Sequence, residues 1–275
     1  MQEAPPATEA RNPRTAHIDR LPATIDVLQL LHAEDAAVGP AVRAALPALA
    51  QAVDLAVARM RRGGALHYFG AGSSGIIGLL DAAEIAATFG VDPDRVKAHQ
   101  AGGVARLGDP DQSAEDDRMQ GRLAAAQLSP DDTAVALTAS GRTPYVAGVL
   151  AQAAQAGALR ILVTSNPAAP LAGGADVHIC ADTGPEAIAG STRMKAGSAA
   201  KLICNLFSTA LMVRLGATWS NLMIDVVPSN AKLRSRVVAI LVEATGEPEE
   251  RCAAALRDAN GHARTALSAL LETRR

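Results

Sequence analysis

The stretch LHYFGAGSSGIIGLLDAAEIAATFG, residues 66–90, decides the fold. A short apolar run leads into the glycine-rich step GAGSSG (70–75), and a helical pattern then continues to Phe89. A strand that passes through glycines into a helix is the start of a βαβ unit. Glycines let the backbone approach a ligand, and the free N–H groups at a helix start attract an anion. Because Ser73 and Ser74 add two hydroxyls, we predict a phosphate site at this turn.

The rest of the chain repeats this pattern. Short runs rich in apolar or β-branched residues occur at 65–71, 95–101, 133–140, 159–165 and 176–182. Helical stretches separate the first four, which predicts an α/β fold with a doubly wound, mainly parallel sheet flanked by helices. We divide the chain into an N-terminal arm and helices (1–62), the sheet domain (63–228) and a small C-terminal helical bundle (229–275).

Composition narrows the classes of ligand. The 275 residues carry a formal net charge of -2, and only 2% of them are aromatic. A chain without a basic field or stacking platforms is a poor nucleic-acid binder, so a small ligand is expected and nucleic acid is not. The N-terminal stretch has no apolar core, and we find no continuous apolar run of membrane-spanning length. We therefore predict a cytoplasmic protein with no membrane partner.

Two more turns carry groups that bind anions. In TASGRTPYV (138–146), three hydroxyls and one guanidinium follow the third strand; they belong to Thr138, Ser140, Thr143 and Arg142. Such a concentration of donors at a strand end predicts a phosphate cradle.

The third turn, GSTRMKAG (190–197), places Arg193 and Lys195 just after the helix-capping Ser191. The helix dipole disfavours cations at a helix start, so a negative partner is expected nearby. Either Glu186 or a bound phosphate or carboxylate would satisfy this expectation.

An ordered series of motifs resembles a known family. GAGSSG and TASGRT look like the two phosphosugar loops of the sugar isomerase (SIS) domain. Together with DAAE, TFGVDP, AEDD, ASGRTPYV and GSTRMKAG they resemble the N-acetylmuramic acid 6-phosphate etherase family, and the agreement extends from about residue 11 to about residue 243. The resemblance implies a cytosolic SIS-fold homodimer without metal or nucleotide cofactor. Its partner would be a phosphorylated amino sugar, from which it removes D-lactate in cell-wall recycling.

The resemblance also assigns two catalytic carboxyl groups, Glu84 in DAAE and Glu115 in AEDD. Elimination of the lactyl ether needs a base at C2 and an acid at the leaving oxygen, so the two pKa values should differ. Since alanines and Ile85 flank Glu84, we expect it to be buried and to act as the general acid. Glu115 lies in a polar stretch, and we expect it to stay ionised and act as the general base.

Helix geometry adds a hypothesis about assembly. Glu84 lies ten residues after Ser74, or roughly 15 Å along a helix axis, which is farther than a hexose phosphate reaches from phosphorus to C2. We therefore expect Glu84 to serve a neighbouring subunit's site, at or near the interface. The chain departs from the family at Ile76, where an arginine is usual. Two alternatives remain open: an aldose–ketose isomerase of sugar phosphates and a non-catalytic phosphosugar-sensing regulator.

Overall fold

A computed structural model describes residues 6–106, 113–226, 228 and 231–272. In the described part of the N-terminal arm, the chain forms three short 3₁₀ turns, at Ala7–Glu9, Pro13–Thr15 and Ile18–Arg20. Helix α1 (Thr24–Asp35) and helix α2 (Val38–Arg61) follow. The helices expected before residue 63 are thus present, and α2 is amphipathic: it buries Ala45, Leu49 and Ala52, at the spacing of one helix face.

The predicted sheet is confirmed. Its elements, in chain order, are β1 (Leu66–Gly70), α3 (Gly72–Phe89), β2 (Val96–Gln100), α4 (Arg118–Ala124), β3 (Thr133–Leu137), α5 (Pro144–Ala156), β4 (Leu159–Thr164) and β5 (Val177–Cys180). The strand order is β2-β1-β3-β4-β5, and β1, β3, β4 and β5 pair in parallel register. All residues of β1 and β3 are buried, as expected for a parallel sheet covered on both faces.

The strand order places a topological switch point between β1 and β3. The chain runs outward to β2 on one side of β1 and to β4 and β5 on the other side of β3. Sheets of this order bind ligands in the crevice outside the carboxyl ends of the strands at that point. The turns after β1 and β3 are the two turns for which the sequence predicts phosphate binding.

Helix α6 (Lys195–Arg214) is followed by a hairpin, β6 (Thr218–Trp219) with β7 (Leu222–Met223). Three helices complete the described chain: α7 (Ala231–Thr245), α8 (Glu249–Asp258) and α9 (Ala263–Glu272). Contacts divide the chain into two compact units, Met1–Ala82 with Lys97–Ser208, and Ala83–Val96 with Thr209–Arg275. The three-segment division made from the sequence stays a prediction.

Each unit has its own apolar core. In the first, Phe69, Tyr145 and Val149 belong to a cluster of buried residues on one side of the sheet. In the second, a cluster that includes Leu241, Leu256 and Leu267 joins α7, α8 and α9. The alanine-rich segment after residue 230 therefore forms the helical bundle that its pattern predicts.

A buried polar network fastens α3 to α6 within the first unit. The hydroxyl of Tyr68 donates to Asp81 Oδ2 at 2.6 Å, and Ser208 Oγ donates to Asp81 Oδ1 at 3.2 Å. Only 4% of Asp81 is exposed. Since a buried carboxylate without hydrogen-bond donors is strongly destabilising, these donors fix the position of α3 beside α6.

Two helical stretches are long and apolar enough to span a membrane by length and composition, Thr24–Arg61 and Lys195–Arg214. Charged residues interrupt both, so neither is a continuous apolar run in the sequence. Of the most apolar 18-residue window in each stretch, 44% and 50% respectively is buried inside the protein, as in the core helices of globular domains. Composition alone does not distinguish the two cases.

Candidate active site

A cavity of about 330 Å³ opens at the switch point, within the first unit. Its volume is in the range of small-molecule sites, roughly 300–1,000 Å³. The lining comes mainly from the ends of three strands and the starts of three helices. It consists of Glu9, Ala71, Gly72, Ser73, Ser74, Ile77, Glu115, Leu137, Thr138, Ala139, Ser140, Thr143, Val163, Thr164, Ser165, Gly190, Thr192, Ala196, Gly197 and Ala200.

The turn after β1 is built for close approach. A Cβ atom on Gly75 would lie 1.7 Å from Gln100 Oε1 and 2.7 Å from the carbonyl oxygen of Gly70, so only glycine fits. This packing lets α3 start at Gly72, directly after the strand. Ser73 and Ser74 thus lie in the first turn of the helix and both line the cavity, as the sequence analysis expects.

The turn after β3 forms a second wall of hydroxyls. Thr138 Oγ1 and Thr143 Oγ1 share a hydrogen bond of 2.8 Å, and the Gly141 amide donates to Thr138 Oγ1 at 3.2 Å. Gly141 has φ +70°, and a Cβ there would come within 2.3 Å of the Cβ of Ala169. Both constraints hold the turn in one conformation. Thr138, Ser140 and Thr143 line the cavity.

Arg142 is the exception in this turn. Its backbone amide donates to Ser140 Oγ at 3.3 Å, and the residue is half-buried. Its side chain is not part of the cavity lining. The structure therefore brings the three hydroxyls of this turn together without the guanidinium.

Helix starts supply positive potential where lysine and arginine do not. The helices α3 and α5 begin at Gly72 and Pro144, beside lining residues of the cavity. Unpaired N–H groups at helix N-termini attract anions, and hydroxyl side chains add donors. This arrangement suits a phosphoryl group.

At the start of α6 the structure places Glu186, one of the two negative partners that the sequence leaves open. The Glu186 carboxylate accepts hydrogen bonds from the amides of Lys195 at 3.0 Å and Ala196 at 2.9 Å, so it caps the helix. The Lys195 Nζ donates to Glu34 Oε2 at 2.7 Å, and only 1% of this lysine is exposed. Internal partners therefore satisfy both Glu186 and Lys195, and neither belongs to the cavity lining.

Glu34 is the counter-ion that the sequence analysis misses. It is buried on α1 and also accepts from Asn12 Nδ2 at 2.8 Å and pairs with Arg14 at 2.9 Å. Burial alone would raise the pKa of Glu34, but the hydrogen bonds from Lys195, Arg14 and Asn12 outweigh it and lower that pKa. No local signal could reveal this partner, which lies 161 residues from Lys195 in the chain.

The two other predicted residues of this turn lie closer to solvent. Ser191 is half-buried beside Thr192, which does line the cavity. Arg193 is exposed and lines a shallow surface groove with Ser73 and Ile76. The groove thus places a guanidinium next to the turn after β1, on the side where this chain carries Ile76.

Of the two predicted catalytic glutamates, Glu115 lines the cavity and Glu84 does not. Glu115 lies in a 3₁₀ turn, Ser113–Asp116, and is exposed as a whole residue. Partial burial of its carboxyl nevertheless raises the pKa of Glu115, and the charges of Asp116 and Glu9 raise it further. The polar stretch around Glu115 therefore does not keep its pKa at the ordinary value, since the carboxyl lies at the cavity near other acids. That Glu115 stays ionised and acts as the general base remains a prediction.

The expectation that Glu84 is buried is also corrected. Glu84 is exposed on the single chain, whereas Ile85 and Phe89 carry the buried face of this part of α3. Flanking alanines in the sequence do not imply burial, because neighbours in a helix point in different directions. Glu84 belongs to the second unit, outside the unit that contains the cavity.

Sequence reasoning also missed Thr164 and Ser165, which line the cavity at the end of β4. The signal was present, since a Thr-Ser pair follows the fourth apolar run just as hydroxyls follow the first and third. Glu9 gives no such signal, because in the sequence it lies in the N-terminal arm and does not follow a predicted strand.

Comparison with known proteins agrees with this geometry. A family model described as "SIS domain" matches residues 112–209, and one described as "Glucokinase regulatory protein N-terminal SIS domain" matches residues 48–154. A protein of Thermobifida fusca called N-acetylmuramic acid 6-phosphate etherase is 58% identical over 96% of this chain and 86% of its own length. The chain belongs to the N-acetylmuramic acid 6-phosphate etherase family. Proteins of that name from Mycolicibacterium smegmatis and Symbiobacterium thermophilum are 48% and 45% identical, over 94% and 96% of the chain and 88% of their own lengths.

Solved structures support the fold of this etherase-family chain. A putative phosphosugar isomerase from Bacteroides fragilis has a TM-score of 0.53 at 20% identity, covering 72% of this chain and 94% of that one. A phosphoheptose isomerase from Francisella tularensis has a TM-score of 0.52 at 18% identity, covering 69% and 98%. At these identities the likeness concerns architecture, and the etherase relatives carry the functional argument.

Proposed function

We propose that this chain is a carbon–oxygen lyase that cleaves the lactyl ether of N-acetylmuramic acid 6-phosphate. Elimination followed by hydration gives N-acetylglucosamine 6-phosphate and D-lactate, a step of cell-wall recycling. The observation that carries the proposal is the presence of Glu115 in the same cavity as the hydroxyl-rich turns, in a chain 58% identical to a named etherase. We place the reaction in the cytoplasm.

The phosphate end of the substrate would lie against the turns after β1 and β3. Ser73 and Ser74 donate from one side, and Ser140 and Thr143 from the other. The N-termini of α3 and α5 add backbone donors and positive potential. Arg193, in the adjacent groove, supplies a solvent-exposed positive charge toward the same phosphoryl group.

Glu115 fits the role of general base. When the sugar ring opens, the aldehyde makes the C2 proton acidic, and the Glu115 carboxylate takes that proton. A carboxylate with a raised pKa holds a proton more firmly, so it is a stronger base than an ordinary glutamate. The C3–O bond then breaks as the C2–C3 double bond forms, and water later adds a proton to C2 and hydroxide to C3.

Glu84 fits the role of general acid in an assembled dimer. Three side chains at four-residue spacing follow one stripe of α3: Ile76 (48% exposed), Leu80 (47% exposed) and Glu84. On the adjacent α6, Leu202 and Leu206 are also exposed. We propose that this apolar face is the homodimer interface, where a partner subunit would desolvate Glu84 and let it protonate the departing lactyl oxygen.

A lactate assay on N-acetylmuramic acid 6-phosphate tests the activity. We expect D-lactate release by the unmodified chain and a loss of roughly 10²–10⁴-fold in Glu115→Gln. Glu243→Gln, an exposed glutamate on α7, is the matched control and should retain full rate. Conversion of a sugar phosphate to its ketose without lactate would favour an isomerase, and binding without turnover would favour a sensor; either result would sink the proposal.

Co-expression tests the shared site. If Glu84 acts in the partner's cavity, a heterodimer of Glu84→Ala and Glu115→Gln subunits contains one intact site. Random pairing then recovers about a quarter of the activity of the unmodified dimer. Activity at the level of the separate variants would show that both glutamates serve the same chain.

Leu80→Glu should give monomers by light scattering and abolish lactate release.

A further inference from the structure

The N-terminal arm is tied to the loop before α6. The amide of Glu186 donates to the carbonyl oxygen of Thr8 at 3.4 Å, and Thr15 Oγ1 donates to the Ala187 carbonyl at 2.7 Å. Between them, Asn12 Nδ2 donates to Glu34, the buried partner of Lys195. Thr8, Asn12 and Thr15 are all buried. The arm is therefore a fixed part of the first unit.

This anchoring brings one side chain of the arm to the cavity. Glu9 ends the 3₁₀ turn Ala7–Glu9, next to the buried Thr8, and belongs to the cavity lining. In the part of the lining that the structure describes, Glu9 and Glu115 are the two charged residues; the others are apolar, glycine or hydroxyl-bearing. Two carboxylates thus share one small cavity.

We propose that Glu9 is a positioning residue that acts through Glu115 and holds it as a stronger base. The inference rests on the proposed function and adds a third acid, from the arm, to the reaction's machinery. It also gives the arm a chemical role, since the anchoring contacts of Thr8, Asn12 and Thr15 set where the Glu9 charge lies.

The electrostatic reason is like-charge repulsion across the cavity. Among the described residues, the charged groups that act on Glu115 are Asp116, from its own turn, and Glu9, from the arm. Both negative charges favour the protonated form of Glu115, in the same direction as partial burial, and so increase the affinity of its carboxylate for the C2 proton. Glu9 is the one of the two that also lines the cavity.

The test is the pH dependence of kcat/KM for lactate release in Glu9→Gln. Removing the charge should move the acid limb to lower pH by roughly 0.2–0.7 pH units, the size that a partly exposed charge pair produces. Glu9→Asp keeps the charge and should leave the acid limb close to its position in the unmodified protein. Asp19→Asn removes the same charge from an exposed position of the arm and should leave the profile unchanged.

A second readout separates this inference from the proposed function. Carboxyl carbon NMR of the free protein, with Glu115→Gln to assign the signal, follows the titration of Glu115 without substrate. A lower midpoint in Glu9→Gln supports the inference even if no lactate is released. An unchanged midpoint, or an equal loss of activity at every pH together with a lower melting temperature, would overturn it and leave Glu9 a structural residue.

Discussion

Two regions of this chain carry the same kind of sequence signal and use it differently. The turns after β1 and β3 expose hydroxyls to a cavity, and the start of α6 has both a lysine and helix amides that bind an acid within the protein. From the sequence, the turn at 190–197 called for a negative partner that was either Glu186 or a bound anion. The difference teaches that an anion-binding group can bind a ligand only if no carboxylate of the protein already binds it. Whether such a carboxylate is present depends on residues far away in the chain.

The largest test of this contrast is Lys195→Met. It leaves Glu34 buried without its closest cation, so we expect a loss of about 3–5 kcal/mol in the free energy of unfolding. Urea denaturation measures this. The double variant Glu34→Gln/Lys195→Met removes both charges and should recover much of the loss. Unchanged stability in the single variant, with weaker substrate binding, would instead make Lys195 a ligand-binding residue.

The opposite behaviour is expected at the hydroxyl-rich turns. In Ser74→Ala, one donor to the phosphoryl group is lost, which should lower kcat/KM roughly 10–100-fold, the effect of a hydrogen bond to a charged group. The free energy of unfolding should stay within about 0.5 kcal/mol of the original, as is usual for substitutions away from the core. A Ser74→Ala variant that loses stability but keeps its kcat/KM would show that Ser74, like Lys195, stabilises the fold and does not bind the substrate.

Much of the fold was accessible from the sequence. All five strands of the larger sheet lie inside the predicted runs, and β1, β3 and β4 are the clearest because a buried parallel strand is a short apolar run bounded by turns. The hydroxyl-rich turns were also predictable, since strand ends in this topology meet at one edge. The Glu34–Lys195 pair was not, because nothing local relates α1 to α6. The exposure of Glu84 was misjudged because apolar neighbours in sequence lie on other faces of the helix.

A smaller effect is expected at the helix cap. Glu186→Ala removes the acceptor for two buried amides, and loss of a cap costs about 1–2 kcal/mol. Thermal unfolding of Glu186→Ala beside Glu186→Gln measures it, with the glutamine variant expected to be intermediate because it keeps one acceptor oxygen. If the helix end instead binds substrate, the alanine variant should show a raised KM with an unchanged melting temperature.

The smallest effect is a pH dependence of stability. The pKa of Glu34 is lowered in the folded protein, so its contribution is fully present above the ordinary glutamate pKa and is lost as the pH falls through the folded value. Stability should therefore decline below about pH 4.5 and decline less in Glu34→Gln/Lys195→Met. If both proteins lose the same stability as the pH falls, Glu34 does not cause the loss, and other carboxylates with a lowered pKa, such as Asp132, do.

The separation of Glu34 from Lys195 by 161 residues has a consequence for biosynthesis. A ribosome releases the N-terminal arm and α1 long before α6, so a nascent chain halted ahead of residue 195 has the strand-end hydroxyls without the lysine that locks Glu34 in place. The arm, and with it Glu9, docks only late in translation. Until residues 186 and 187 are synthesised, the hydrogen bonds that hold Thr8 and Thr15 have no partners, so the arm cannot place Glu9 beside Glu115.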